Sequence, residues 1–237
     1  MHIKGLPSVS IVLFILLLTG CGKFAYYKVK PGDTLYSIGW QYGADYRQLA
    51  AWNDIQAPYI LKPGQWLRVV PQDPYYKDPN IADERVVQNS KPVFRPPVVV
   101  KPETKRRSSL QFDRTQGWQW PVIGPLLYTY SSKDTRKQGI GVQGRLGQPV
   151  RAAADGQVVY SGTGLVGYGH LVIIKHNDAF LSAYGHNARV LVKEGQFVRR
   201  GQQIATLGRS GARQPLLHFE IRKNGKAVNP LAYLPKL

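Results

Sequence analysis

The sequence predicts a mainly β protein carrying a small α+β module, with a proline-rich segment between the two. Three observations carry this. From residue 118 to the end, short β-type runs alternate with glycine-containing turns, and no long amphipathic helix competes. From 27 to 70, two helical patterns sit between β-type ends. From 71 to 117 the periodicity stops and prolines accumulate. A chain of 237 residues is long enough for two such domains and a spacer.

The first module is expected in the order βααβ, its strands pairing antiparallel. Tyr27-Lys28-Val29-Lys30 alternates like a short strand, and Pro31-Gly32-Asp33 is a turn. Asp33 or Thr34 can cap a helix that places Leu35, Ile38, Gly39 and Tyr42 at i, i+3, i+4 and i+7. A second helix is expected from Asp45 through Trp52, with Leu49 and Trp52 inward and Asn53 closing it. After the Pro63-Gly64 turn, Gln65 to Val69 reads as the return strand. In the larger domain, strands are expected at 139–143, 149–152, 156–161, 170–175, 180–184, 203–207 and 217–223.

The run Tyr27-x-Val29-x-Pro31-Gly32-Asp33-Thr34-Leu35-x-x-Ile38, then Leu49-x-x-Trp52-Asn53 and Ile60-x-x-Pro63-Gly64-Gln65, resembles a LysM domain over nearly all of 27–70. The resemblance implies binding to the N-acetylglucosamine backbone of peptidoglycan in a shallow groove. One wall of that groove would be Gly32, Asp33 and Thr34; the other would run from Ile55 to Leu61, including Tyr59 and Ile60. Tyr36 or Tyr59 could stack on a sugar face.

At the N-terminus, Lys4 precedes an apolar run from Val9 to Leu18, which ends in Leu18-Thr19-Gly20-Cys21. The run is short of the roughly 20 residues a bilayer crossing needs, and reads as a secretory signal. Its ending resembles the bacterial lipobox. That implies removal of residues 1–20, acylation of Cys21, and a short tether over 21–26. Gly22 after the cysteine favours an outer-membrane lipoprotein facing the periplasm of a Gram-negative bacterium. With one cysteine, no intrachain disulfide forms.

The net charge of +18 predicts an acidic partner. Anionic lipid and wall polymer fit better than nucleic acid, because no basic helix or aromatic RNA-binding signature appears. From Trp118 onward there are 16 basic and five acidic residues, so +11 of the charge sits there.

From Trp120 to Leu234 the chain resembles the zinc endopeptidase domain of the lysostaphin/LytM type. The resemblance rests on Gly139-Ile140-x-Val142, Gly147-Gln148-Pro149-Val150, Gly167-Tyr168-Gly169, Tyr184-x-His186, Gly195-Gln196 and Leu217-His218-Phe219-Glu220-Ile221. It implies an antiparallel β core beneath a groove, and three zinc ligands that would fall at Lys137, Gly141 and His218. Two further catalytic histidines would fall at Leu216 and His186. A lysine repels Zn²⁺ unless strongly desolvated, glycine offers no side-chain donor, and leucine moves no proton. No bound metal, no cofactor and no catalysis are therefore expected. His170 and His176 are expected to be turn-forming or surface residues.

A lipobox, a LysM domain, a Pro-rich basic linker and a degenerate LytM-like domain together resemble the NlpD branch of murein hydrolase activators. That resemblance implies a non-catalytic domain that binds a periplasmic N-acetylmuramoyl-L-alanine amidase and licenses wall splitting in cell division. The vacated groove, with Lys137, Gly141, Tyr184, His186, Leu216 and His218, is the expected partner surface. Two alternatives stay open: a structural tether from outer membrane to peptidoglycan, and a zinc endopeptidase using other ligands.

Overall fold

A computed structural model describes residues 25–69, 117–134 and 137–236. The expected signal segment, Cys21 and nearly all of the proline-rich linker lie outside the described residues.

The first module has the expected order: β1 (Ala25–Lys28), α1 (Leu35–Tyr42), α2 (Tyr46–Trp52) and β2 (Trp66–Val69). β1 and β2 pair antiparallel, with Tyr27 opposite Leu67. Of the two capping candidates, Thr34 caps α1: its hydroxyl accepts from the Ser37 N–H, while the Ser37 hydroxyl accepts from the Thr34 N–H. Asp33 instead holds the preceding turn, accepting from the Tyr27 hydroxyl and the Lys30 N–H. α1 stops where Gly43 turns left-handed (φ 67), and Asp45 opens α2. Leu35, Ile38, Leu49, Leu67 and Val69 are all enclosed. Each such side chain contributes about 1.5–3 kcal/mol of burial.

The second domain is built from β3 (Leu126–Tyr128), β4 (Ile140–Gln143), β5 (Pro149–Arg151), β6 (Gly156–Gly162), β7 (His170–Lys175), β8 (Phe180–Val190), β9 (Phe197–Val198), β10 (Gln203–Leu207), β11 (Leu216–Lys223), β12 (Lys226–Val228) and a closing 3₁₀ turn, η1 (Pro230–Ala232). The main antiparallel sheet runs β3-β4-β11-β8-β7-β6-β9, with β10 joining β8 to β5 and β12 flanking β11. All seven expected strands are present, within one residue at each end except for β8, which continues six residues beyond its expected end at Tyr184. The short strands β3, β9 and β12 escaped the sequence reading, since two or three residues carry no readable period.

Strand alternation sorts the sheet into two faces. Val172, Ile174, Tyr184, Leu217, Phe219 and Ile221 enter the central core. Leu171, Ile173, Leu181 and Ala183 point the other way, into a second core shared with Leu35, Ile38, Trp40 and Leu49 of the first module. The two modules therefore share one apolar interior across the outer face of the sheet.

His176 closes β7 at the turn into β8, as expected, but its ring is half-buried rather than free at the surface. Its ring is wedged against Trp118, at 4.9 Å between ring centroids. Its Nδ1 lies 2.6 Å from the Asp155 carbonyl and its Nε2 lies 2.7 Å from the Ser182 hydroxyl. A carbonyl only accepts, so Nδ1 carries the proton. Burial pushes this imidazole down from 6.5 to about 4, against the pull of the Asp155 carbonyl and carboxylate. The unfolded chain takes up this proton first as pH falls. The stabilisation is thus complete above pH 6.5 and is lost as pH drops to about 4. The unfolding free energy from urea melts at pH 7, 5.5 and 4 should fall by an amount on the order of 3 kcal/mol in total, and His176→Gln should flatten that slope. An unchanged slope would remove His176 as its source.

Candidate functional site

The site is set by which residues of three neighbouring strands share the outer face. On β11, Leu217, Phe219 and Ile221 enter the core, which leaves Leu216, His218, Glu220 and Arg222 in a row on the opposite face. His218 is paired with Gly141 of β4 on one side and with Gly185 of β8 on the other. Two glycines thus give its imidazole a bare backbone floor. Tyr128 of β3 is paired with Gly141 from the far side, and its ring lies over that glycine. A Cβ at Gly141 would collide with the Tyr128 ring.

Both ring nitrogens of His218 are engaged. Nδ1 lies 2.7 Å from the Tyr128 hydroxyl and Nε2 lies 2.7 Å from Glu220 Oε1. A carboxylate accepts, so Nε2 carries the proton and the phenol caps Nδ1. Burial pushes the Tyr128 hydroxyl up to about 12, so it keeps its proton to donate. Glu220 is fully enclosed and also accepts from the Tyr168 hydroxyl (2.7 Å) and from Arg222 Nε (3.2 Å). Burial would raise its carboxyl, but Arg222, with the hydrogen bonds from His218 and Tyr168, brings it down to about 2. Glu220 is therefore ionised throughout the neutral range.

His186 completes the cluster. Its φ of 64 is uncommon outside glycine and breaks the alternation of β8, so that its ring comes within 6.0 Å of the His218 ring. Its Nδ1–H donates to the Ser210 carbonyl at 2.7 Å, leaving Nε2 as an acceptor. Burial lowers this imidazole, opposed by the Ser210 carbonyl and assisted by His218.

The structure brings Gly141, His186 and His218 together and adds Tyr128 and Tyr168, which the sequence reading did not place in the site. The other groove residues need correction or refinement. Tyr184 is not on the rim: it is fully enclosed on the inner face, where its hydroxyl accepts from the Ala153 N–H at 2.8 Å. A Tyr two residues from a His would share its face in a regular strand, and the left-handed turn at His186 removes that regularity. Lys137 is exposed ahead of β4, its carbonyl accepting from the Ser131 N–H. Leu216 lies on the His218 face but is largely buried. Among the described residues no three His, Cys, Asp or Glu side chains are grouped to hold a metal ion. The residues at this site do not fit zinc: Gly141 and Leu216 offer no donor, and both nitrogens of His218 are already held.

On the LysM-like module, Gly32 sits in a turn at φ 83, while the side chains of Asp33 and Thr34 are used within the chain, as described above. That leaves backbone groups as the polar face of the first loop. In the second loop, Tyr59 packs edge-on to Tyr36 (6.3 Å) and Tyr46 (5.6 Å). Ile60 is 74% exposed, whereas Ile55 and Leu61 are half-buried.

The fold and this site define a LysM module fused to a peptidase-like β domain, and the family comparisons agree. The LysM domain family matches residues 27–70, and Peptidase family M23 matches 135–230. "Lipoprotein NlpD/LppB homolog" of Pseudomonas aeruginosa is 43% identical over 230 residues, covering 89% of this chain and 77% of that protein. "Murein hydrolase activator NlpD" of Escherichia coli is 38% identical over 256 residues, covering 89% of this chain and 68% of its own length. "Uncharacterized lipoprotein YgeR", also of Escherichia coli, is 36% identical over 242 residues, covering 98% and 94%. The chain belongs to the NlpD family of lipoproteins.

Proposed function

We propose that this chain is a non-catalytic activator of a periplasmic N-acetylmuramoyl-L-alanine amidase, held at the wall by its LysM domain and at the outer membrane by lipid on Cys21. The observation that carries the reading is Tyr128. Its phenol covers Gly141 and caps His218, so the face where a hydrolase would hold its metal is filled by the chain's own side chains. What remains is a recognition surface: the Nε2 acceptor of His186, the edges of Tyr128 and Tyr168, and exposed Lys137 at the margin. Activation is then a population shift, in which the groove binds the open amidase conformer in preference to the closed one. A surplus of basic residues on this domain suits an acidic partner and makes association weaken as salt rises.

Zymography on peptidoglycan tests this. The chain alone should leave the gel intact, and adding amidase should give clearing well beyond that of amidase alone. His218→Ala should reduce that gain at least severalfold while leaving the chain folded. Chelator-sensitive clearing by the chain alone would reject the reading. If amidase gained nothing from the chain, the structural tether would take its place.

A further inference from the structure

In sequence the LysM domain and the second domain are joined only by a proline-rich spacer. The structure docks one against the other. Trp40 of α1 is 3% exposed, although it belongs to a short surface helix. Arg222, on the outer face of β11, donates to the Trp40 carbonyl at 2.7 Å, and its guanidinium lies 3.8 Å from the Trp40 ring centroid. The Trp40 indole N–H donates to the Tyr168 hydroxyl at 3.2 Å. At another point of contact the β11–β12 turn meets the start of α2. Arg47 donates there to Asn224 at 3.3 Å, and a Cβ on Gly225 would come within 2.5 Å of the Asp45 nitrogen.

The docking has a direction. The β1–α1 loop, with Gly32 and Asp33, does not face away from the second domain. It forms one wall of an open cleft of about 640 Å³, whose other wall is the end of β6 with the two residues after it (Tyr160 to Gly164) and the Val192–Glu194 segment. A glycan strand lying on that loop would run alongside the second domain. A free linker would let the glycan loop and the groove wander over roughly tens of ångströms relative to each other. Docking removes that freedom.

We propose that the LysM domain is an orienting part of the activator: latched through Trp40 and Arg222, it holds a bound glycan strand at one place relative to the groove, so that the amidase is delivered to that strand. This rests on the activator reading above, and the test separates the two.

Spin labels on cysteines at exposed Lys62 and Leu146, in the full chain with Cys21→Ser, report the distance between the domains. The parent should give one narrow distance distribution. Trp40→Ala removes the latch. Gly225→Asn wedges the domains apart while touching neither core, since asparagine tolerates the left-handed conformation at this turn (φ 75). Both should broaden the distribution. Both should also lower amidase activation on intact sacculi about fivefold, yet leave activation on soluble disaccharide-peptides within twofold, because these are too short to span both sites. A parent distribution that is already broad, or one that stays narrow in both variants, would overturn the proposal. So would a loss of activation that is equal on the two substrates. If the parent activates on neither substrate, the groove reading fails, and the distance distribution still decides whether the domains are docked.

Discussion

Replacing Glu220 with alanine is expected to lower the stability of the chain by about 3–5 kcal/mol, the cost of breaking a buried ion pair from one side. The carboxylate is fully enclosed and is the common acceptor for His218, Tyr168 and Arg222. Without it, Arg222 stays 5% exposed and, among the described residues, keeps the Trp40 carbonyl and ring as its partners. Urea denaturation at pH 7 measures the loss. Glu220→Gln should recover part of it, since the amide still accepts from His218 or Tyr168 but carries no charge. Removing both partners, as Glu220→Leu with Arg222→Leu, should cost less than the sum of the single changes. A loss under about 1 kcal/mol for the alanine variant would mean the cluster is not the buried hub described. The pH dependence has a matching sign. The depressed carboxyl contributes stability that is complete above its ordinary 4.5 and disappears as pH falls towards about 2, below the window set by His176.

The second large effect is expected at Gly141. Gly141→Asp, the substitution that would reinstate a carboxylate, should destabilise by about 3 kcal/mol or more, from overpacking together with an unpaired buried charge. The new Cβ would collide with the Tyr128 ring, and the new carboxylate would lie on the His218 face. Pairing it with Tyr128→Ala should recover more than half of the loss, whereas Tyr128→Phe, which keeps the ring, should recover none. Thermal melts of the parent, Gly141→Asp, Tyr128→Ala and their double variant close this cycle, with the Tyr128→Phe pair as its control. If Gly141→Asp is as stable as the parent, the phenol does not occupy that space. On its own, Tyr128→Phe should cost only about 1 kcal/mol, the worth of one ordinary hydrogen bond, while uncapping His218 Nδ1.

Much of this was legible in residue identity. The LysM-like unit is legible because turn and cap chemistry punctuate it: Gly32 and Gly43 take left-handed conformations, and Thr34 and Asp45 sit where helices need side-chain acceptors. The longer strands could be recognised from glycine turns and β-branched runs. That Gly141 and Leu216 carry no metal-donor atom is a statement about side-chain chemistry and holds for any arrangement of the chain. Tyr128 could not be singled out, because its strand has only three residues and its role exists only across β4. Tyr184 was misplaced because a period of two assumes an unbroken strand, and one positive φ at His186 is not written in hydrophobic patterning. The packing of the His176 ring was illegible for a related reason. An Asn-Asp pair follows it and suggests a surface turn, but Trp118 comes from far away in the chain to cover the ring.

By itself, then, the sequence determined the modules and their order, since these follow from local propensity and turn chemistry. Tertiary structure alone decided what lies over Gly141 and where the LysM domain goes. A phenol from β3 moves over a glycine because three strands bring them into register, and Trp40 meets Arg222 because the outer face of the sheet is apolar enough to bury a second domain. Both outcomes depend on contacts between residues far apart in the chain, which pattern and composition do not encode.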